Sequence, residues 1–246
     1  MRKNLCLTSA LQSSELLVFI EEACMVDTVL FDMDGTLLDT LADLSASVNY
    51  ALKRAGLPLV SQDQVRAAAG YASVYLIDEL TEHRFDVDSE EFKAVWQDFS
   101  DHYAAHHNDA TRPYPGIMEA LAGLAERGCK MAVVSNKMHA DTEALRELWF
   151  ADYIPVGLGY MPSRPRKPAP DMAWAALEEL GSKPEHAIYV GDSDPDAQIA
   201  HASGCFGVCC TWGFRTREQL EQEHPDRIID TPEELLAIYD QLNASA

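Results

Sequence analysis

Two rhythms of apolar and polar positions run along this chain. "DTVLF" (27–31) is a short apolar run that ends on an acid and reads as a buried strand. After it, Leu41, Leu44, Val48, Ala51 and Leu52 recur at helical spacing, and Gly56 and Pro58 close the helix. Stretches 62–69, 73–83 and about 88–107 also read as helices, with no strong strand between them. Residues 44–110 are therefore expected to form an all-helical insert. "TRPYPGI" (111–117) punctuates the chain, and the rhythm then turns regular. Helix 116–127 is followed by strand 130–135, a helix over about 138–148, and a short strand near 154–157. Helix 170–180, strand 187–192, helix 195–203, strand 206–210, a short helix near 216–221, strand 227–230 and helix 232–243 complete it. Strands alternating with helices of this length predict βαβ units, hence an α/β fold with a parallel sheet covered on both faces.

That fold class locates the chemistry. In an open parallel sheet, ligands bind beyond the carboxyl ends of the strands. "VLFD", "AVVSN" and "IYVGD" each end an apolar run on a polar residue. Asp32, Ser135 and Asp192 are thus expected to meet at one sheet edge despite their separation in sequence.

The residues around those three points are unusual. "DMDGT" (32–36) sets two acids one residue apart before Gly35, which permits an uncommon backbone and close ligand approach. Two carboxylates in different surroundings can divide labour as nucleophile and proton donor; alone, the same residues also read as a solvated, helix-capping turn. "VGDSDPD" (190–196) supplies Asp192, Asp194 and Asp196. The spacing fails a calcium loop and suits Mg²⁺, which takes few carboxylates and keeps waters and phosphate oxygens. Asp192, nearest the strand end, is the expected direct ligand, with Asp194 a cap or surface residue. "VVSNK" offers Ser135 and Asn136 as an anion site or as an ordinary N-cap. "SRPRKPAPD" gathers Arg164, Arg166 and Lys167, cations able to offset phosphoryl charge, or else a solvated basic turn. Taken together, the set meets the needs of phosphoryl transfer.

Composition narrows the partners. The formal net charge is −21, from 40 acidic residues against 19 Lys and Arg. Nucleic acid and anionic membrane both demand a basic face, so neither is expected. An anionic substrate must then be met by local positive charge. Six cysteines without a CxxC pair or zinc spacing read as reduced, mostly buried thiols of a cytoplasmic protein. Residues 1–25 begin with Arg2 and Lys3, but Gln12, Ser13, Ser14 and Glu15 break the apolar run, and "LLVFI" is too short for a signal-peptide core. They are expected to be an N-terminal extension with a short helix, unless translation starts at Met25. His102, His106 and His107 read as a surface cluster rather than a metal site, and Trp212 as a core or cap contact.

"DMDGT" (32–36), "VVSN" (133–136), "RKPAPD" (166–171) and "VGDSDPD" (190–196), in this order, resemble the haloacid dehalogenase superfamily from about Val26 to the C-terminus. The resemblance implies a Rossmann-like core over 26–43 and 111–246 with a helical cap over 44–110. An acid at Asp34 matches the phosphatase branch, and "TWGFRTREQL" with "IIDTPEEL" looks most like phosphoglycolate phosphatase-type members. Carried over residue by residue, it implies that Asp32 attacks phosphorus and Asp34 protonates the leaving group. It further implies that Ser135, with the Asn136 backbone, binds phosphoryl oxygens and that Lys167 offsets charge. Gly35 is expected beside substrate. Mg²⁺ is expected on Asp32, the Asp34 carbonyl and Asp192, with Asp196 behind it. The expected substrate is a small phosphorylated metabolite, although "RAAAGYAS" (66–73) only loosely matches the specificity loop of phosphoglycolate phosphatases. A phosphomutase, a pyrophosphatase and a non-catalytic phosphate-binding module remain alternatives on the same scaffold.

Overall fold

The computed structural model describes residues 25–244. The expected N-terminal helix lies outside the described residues. In chain order the elements are β1 (Thr28–Phe31), β2 (Leu38–Asp39), α1 (Leu41–Arg54), α2 (Gln62–Ala68), α3 (Ser73–Leu80), α4 (Glu90–His106) and β3 (Arg112–Pro113). They continue with α5 (Ile117–Glu126), β4 (Lys130–Met138), α6 (His139–Phe150), β5 (Val156–Tyr160), α7 (Asp171–Leu180) and β6 (Ala187–Gly191). The last are α8 (Asp194–Ser203), β7 (Phe206–Cys210), α9 (Arg217–Gln222), β8 (Arg227–Ile229) and α10 (Glu233–Ala244).

Six strands form one sheet in the order β5-β4-β1-β6-β7-β8, and every neighbouring pair is parallel. Counting only these strands along the chain, the order is 3-2-1-4-5-6, the doubly wound Rossmann-like arrangement. The strand order reverses between β1 and β6, so a crevice opens beyond their carboxyl ends.

The side-chain period of two splits each strand between two apolar layers. Val29 and Phe31 of β1 join Met131, Val133, Ile188 and Val190 on one face, under α5, α6 and α10. Leu30, Ala132, Val134 and Tyr189 point to the other face, under α7 and α8. Burial on both faces explains why these strands read as continuous apolar runs rather than alternating ones.

The region 44–110 folds as helices with their own apolar cluster. Leu44, Val48 and Leu52 of α1 pack with Phe92, Val95 and Phe99 of α4 and with Val65, Leu76 and Ile77. Helix α1 already starts at Leu41, so it runs through residue 44, where the insert was expected to begin. The chain enters and leaves this layer side by side: Leu38 pairs with Pro113 and Asp39 with Arg112 in a two-stranded antiparallel ribbon. Asp43 joins the two crossings, its carboxylate accepting from Ala110 N, Thr111 N and Thr111 Oγ1 at 2.8–3.0 Å. Neither short strand was expected, because two residues carry no periodic signal and their partner lies far along the chain.

Among the described residues no helix is long and apolar enough to cross a membrane.

Candidate active site

The turn after β1 separates its two acids by burying the residue between them. Met33 is fully buried in the core layer that holds Phe31. Asp32 and Asp34 therefore both face the cleft above the sheet. The turn closes on itself, with Leu38 N donating to Met33 O at 2.9 Å and Gly35 N to Leu38 O at 2.9 Å. Gly35 has φ +86°, and a Cβ there would lie 2.3 Å from Asp192 Oδ2. Its amide is engaged inside the turn, donating to Leu38 O. Glycine is required here because the Asp192 carboxylate lies against its Cα.

Asp32 is 4% exposed, and its N–H continues the ladder by donating to Val190 O at 2.9 Å. Lys167, 1% exposed, brings its ammonium to 2.8 Å from Asp32 Oδ1 and 2.7 Å from Asp196 Oδ1. The Asp196 contact is a hydrogen bond, and the Asp32 contact is a buried ion pair of nearly the same length. Burial and the Asp196 charge together push the Asp32 carboxyl up to about 7, and Lys167 pulls it back only in part. Burial disfavours the Lys167 ammonium, but Asp196 and Asp32 hold its pKa above the ordinary lysine value.

Asp192 follows β6 and is completely buried. Thr36 Oγ1 donates to its Oδ1 at 2.8 Å, and Phe214 N to its Oδ2 at 2.7 Å. Each carboxylate oxygen can accept two bonds, so these two donors do not exhaust the carboxylate's capacity. Burial, then Asp196 and Asp32, raise its pKa well above the usual carboxylate range. Carboxylate oxygens of Asp32, Asp192 and Asp196 lie within 4.8 Å of one another. Asp196 is the most committed of the three. Its Oδ1 takes Lys167, and its Oδ2 accepts from Ser193 Oγ, Ser193 N and Asp192 N at 2.5–3.2 Å. Asp194 turns aside toward Arg215, at 3.4 Å. A divalent cation fits this geometry. Asp32, Asp192 and Asp196 crowd three buried carboxylates together, and the desolvation and mutual repulsion that raise the Asp32 and Asp192 pKa values are what a bound cation would offset.

Ser135 and Asn136 are buried near the end of β4, but they do not cap a helix. The strand runs on to Met138, its pairing with β5 shifts register between Val134 and Met138, and α6 opens at His139 with no side-chain cap. Such irregularities re-aim side chains beside sites. Ser135 Oγ faces the cleft and accepts from Lys137 N at 3.3 Å. The Asn136 side chain holds the lysine loop: Lys167 N donates to its Oδ1 at 2.8 Å, and its Nδ2 donates to Lys167 O at 3.3 Å. Arg166 does not enter this cluster; its guanidinium stacks 4.1 Å from the ring centroid of Tyr75, on α3.

Several contributors were not singled out from sequence. Lys137 Nζ lies 2.9 Å from Asp34 Oδ1 and donates to Tyr103 Oη, from α4, at 2.6 Å. Despite burial, Asp34 and Tyr103 hold this lysine protonated. "VVSNK" contained Lys137, but only the fold aims it at Asp34. Phe214, which also lines the cleft, was equally hidden, because its contribution to Asp192 is a backbone N–H. The cleft is floored by Asp32, Asp34 and Ser135 and roofed by Gly70, Tyr71, Leu76 and Phe99. Trp212 Nε1 donates to Thr36 O at 3.0 Å, the core contact expected of it. His102 bonds Ser47 and stacks on His106, and among the described residues the histidines form no metal cluster.

A doubly wound sheet with a carboxylate pair, a buried lysine and an acidic cluster at its switch point is suited to phosphate-ester chemistry. A profile of the haloacid dehalogenase-like hydrolases matches residues 29–209. The chain belongs to that family and is a phosphatase-type member of it. It is 30% identical to phosphoglycolate phosphatase of Aquifex aeolicus, over 86% of this chain and 96% of that protein. It is 33% identical to phosphoglycolate phosphatase of Neisseria meningitidis, over 88% of this chain and 94% of that protein. Among solved structures, a predicted phosphoglycolate phosphatase from Haemophilus somnus superposes with TM-score 0.78 at 30% identity, over 87% of this chain and 97% of that one.

Proposed function

We propose that the protein is a Mg²⁺-dependent phosphatase of small phosphomonoesters, with phosphoglycolate the first substrate to test, working through an aspartyl-phosphate on Asp32. The observation that carries this reading is the buried Asp32 carboxylate on the cleft floor, 2.8 Å from the Lys167 ammonium and with its oxygens within 4.8 Å of those of Asp192 and Asp196.

In this reading the Asp32 carboxylate attacks phosphorus as the ester P–O bond breaks. Asp34, two residues on and facing the same cleft, gives a proton to the departing alkoxide. It then takes a proton from the water that hydrolyses the acyl phosphate, releasing phosphate and restoring Asp32. Lys137, 2.9 Å from Asp34 Oδ1, keeps that carboxylate oriented. The Ser135 hydroxyl donates to a phosphoryl oxygen. Lys167 balances charge on Asp32 and on the phosphoryl group, while Asp196 and Asn136 hold Lys167 still. Asp32, the Asp34 main-chain carbonyl and Asp192 would hold Mg²⁺, which when bound supplies Lewis-acid neutralisation of developing charge. Residues 44–110 serve as a cap that closes the cleft against water. The reading takes no nucleic acid or membrane partner and a cytoplasmic setting.

Asp32→Asn tests it. Turnover of p-nitrophenyl phosphate should fall on the order of 10³-fold or more, with the far-UV circular dichroism unchanged. Near-normal turnover by the folded variant would sink the assignment. Comparing kcat/KM for phosphoglycolate with that for sugar phosphates and pyrophosphate then identifies the substrate.

A further inference from the structure

The segment Trp212–Arg215, between β7 and α9, touches three bodies at once. Trp212 donates to Thr36 O in the turn after β1. Gly213 lies so close to Asp192 and Gly35 O that a Cβ would come within 2.4 Å of each. Phe214 has two ends. Its N–H donates to Asp192 Oδ2 at 2.7 Å, whereas its ring, 5% exposed, belongs to the apolar cluster of the helical insert and not to either core layer.

Arg215 repeats the pattern. It is 6% exposed, and its guanidinium donates to Ala69 O at 2.9 Å and Arg66 O at 3.3 Å, the carbonyls at the end of α2. On its other side it pairs with Asp194, two residues after Asp192, at 3.4 Å. The next residue of the insert, Gly70, sits against Ser193: a Cβ there would lie 3.2 Å from Ser193 Cβ. The loop carrying Asp192 thus packs against the insert at Ser193 and is linked to it through Asp194 and Arg215.

We infer that Phe214 and Arg215 are positioning residues that couple the seating of the helical insert to the metal-binding geometry of Asp192. This rests on the reading of Asp192 as a metal ligand. The Phe214 ring anchors in the insert, so the insert's position fixes where the same residue's N–H points. If the insert shifts away, Asp192 Oδ2 loses its donor, and a buried carboxylate without its donor is no longer held in one orientation. Coupling of this kind is reciprocal: a seated insert tightens metal binding, and bound metal favours the seated insert.

The test uses the full chain and Mn²⁺ as the probe, with free Mn²⁺ read by electron paramagnetic resonance in the absence of substrate. Phe214→Ala and Arg215→Met should each weaken Mn²⁺ binding about tenfold, the scale of one lost hydrogen bond. Phe214→Leu, which keeps an apolar plug, should stay within about threefold of wild type. In turnover by Arg215→Met, whose residue does not line the cleft, Mg²⁺ half-saturation should rise while kcat at saturating Mg²⁺ recovers, as a positioning role requires. Circular dichroism and melting establish that each variant is folded; if Phe214→Ala is not, Arg215→Met decides. Wild-type Mn²⁺ affinity in folded Arg215→Met, while Asp192→Asn loses binding, overturns the coupling alone. Wild-type affinity in Asp192→Asn overturns the metal reading itself and the coupling with it.

Discussion

Gly213→Ala offers a sharp steric test of the site. Gly213 is not among the positive-φ glycines, so alanine there meets no backbone strain. Yet the added Cβ would lie 2.4 Å from Asp192 Cβ, Asp192 Oδ2 and Gly35 O. Ordinary carbon contacts are about 3.5–4.0 Å, so something must give by roughly 1 Å. None of these atoms is the free end of a flexible side chain. The Asp192 carboxylate is held by Thr36 and Phe214, and Gly35 lies inside the hydrogen-bonded turn after β1. Overpacking of this kind costs about 1–3 kcal/mol of stability. A misplacement of ~1 Å at a reacting centre costs about 10²-fold in rate, equivalent to ~2.7 kcal/mol of transition-state stabilisation. We therefore expect a lowered Tm, kcat/KM for p-nitrophenyl phosphate down about 10²-fold, and a higher Mg²⁺ requirement. Gly128→Ala is the control. It carries φ +73° but has nothing within 4 Å of the added Cβ, so it should lose stability and keep activity. A folded Gly213→Ala enzyme with kcat/KM within threefold of wild type and unchanged Mg²⁺ dependence would refute the reasoning.

Lys167→Met should cost about 3–5 kcal/mol in urea denaturation, because Asp32 and Asp196 lose their shared buried cation. Adding Asp196→Asn should recover much of that stability and none of the activity; recovery of turnover would contradict the charge-balancing role. Asp43→Ala removes the acceptor shared by Ala110 N, Thr111 N and Thr111 Oγ1, and should lower stability by about 1–3 kcal/mol in the same assay. Asp27 gives the pH dependence. Burial raises its pKa, but hydrogen bonds from Ser182, Thr28 and Lys130 outweigh this and leave it below 3.8. A depressed carboxyl stabilises above its unfolded pKa and loses that contribution as pH falls through the folded value. The stability gap between wild type and Asp27→Asn should therefore be full at neutral pH and close below about pH 4; a gap constant down to pH 2 would contradict the assignment.

The charge distribution fits an anionic substrate. With a net charge of −21, the chain as a whole repels phosphate esters. Lys137 and Lys167 are nevertheless buried at the cleft, each held protonated by carboxylates that the fold brings alongside. The positive charge is local, enclosed and already paired. A phosphoryl group thus enters a balanced network rather than an open basic patch.

Much of this was readable residue by residue. Apolar runs such as "TVLF", "MAVV" and "AIYV" announced buried parallel strands because burial on both faces leaves no room for polar alternation. The acids after β1 and β6 were legible because strand ends in such a sheet share one edge. Four elements of the site were not legible. The β2–β3 ribbon needs a partner more than seventy residues away along the chain. Extension of β4 past Ser135 follows from a register shift against β5. Lys137 acquires its meaning only where Tyr103 of α4 and Asp34 converge on it. Gly213 and Phe214 act through a missing Cβ and a backbone N–H, which leave no chemical signature in the residue type. Local pattern determined which segments are strands, where they end and which carboxylates stand there, because periodicity and turn chemistry are properties of neighbouring residues. The tertiary structure alone decided which carboxylate is ion-paired, which is left open and which cation serves which acid. Those outcomes depend on burial and on distances of a few ångströms between segments that only packing brings together.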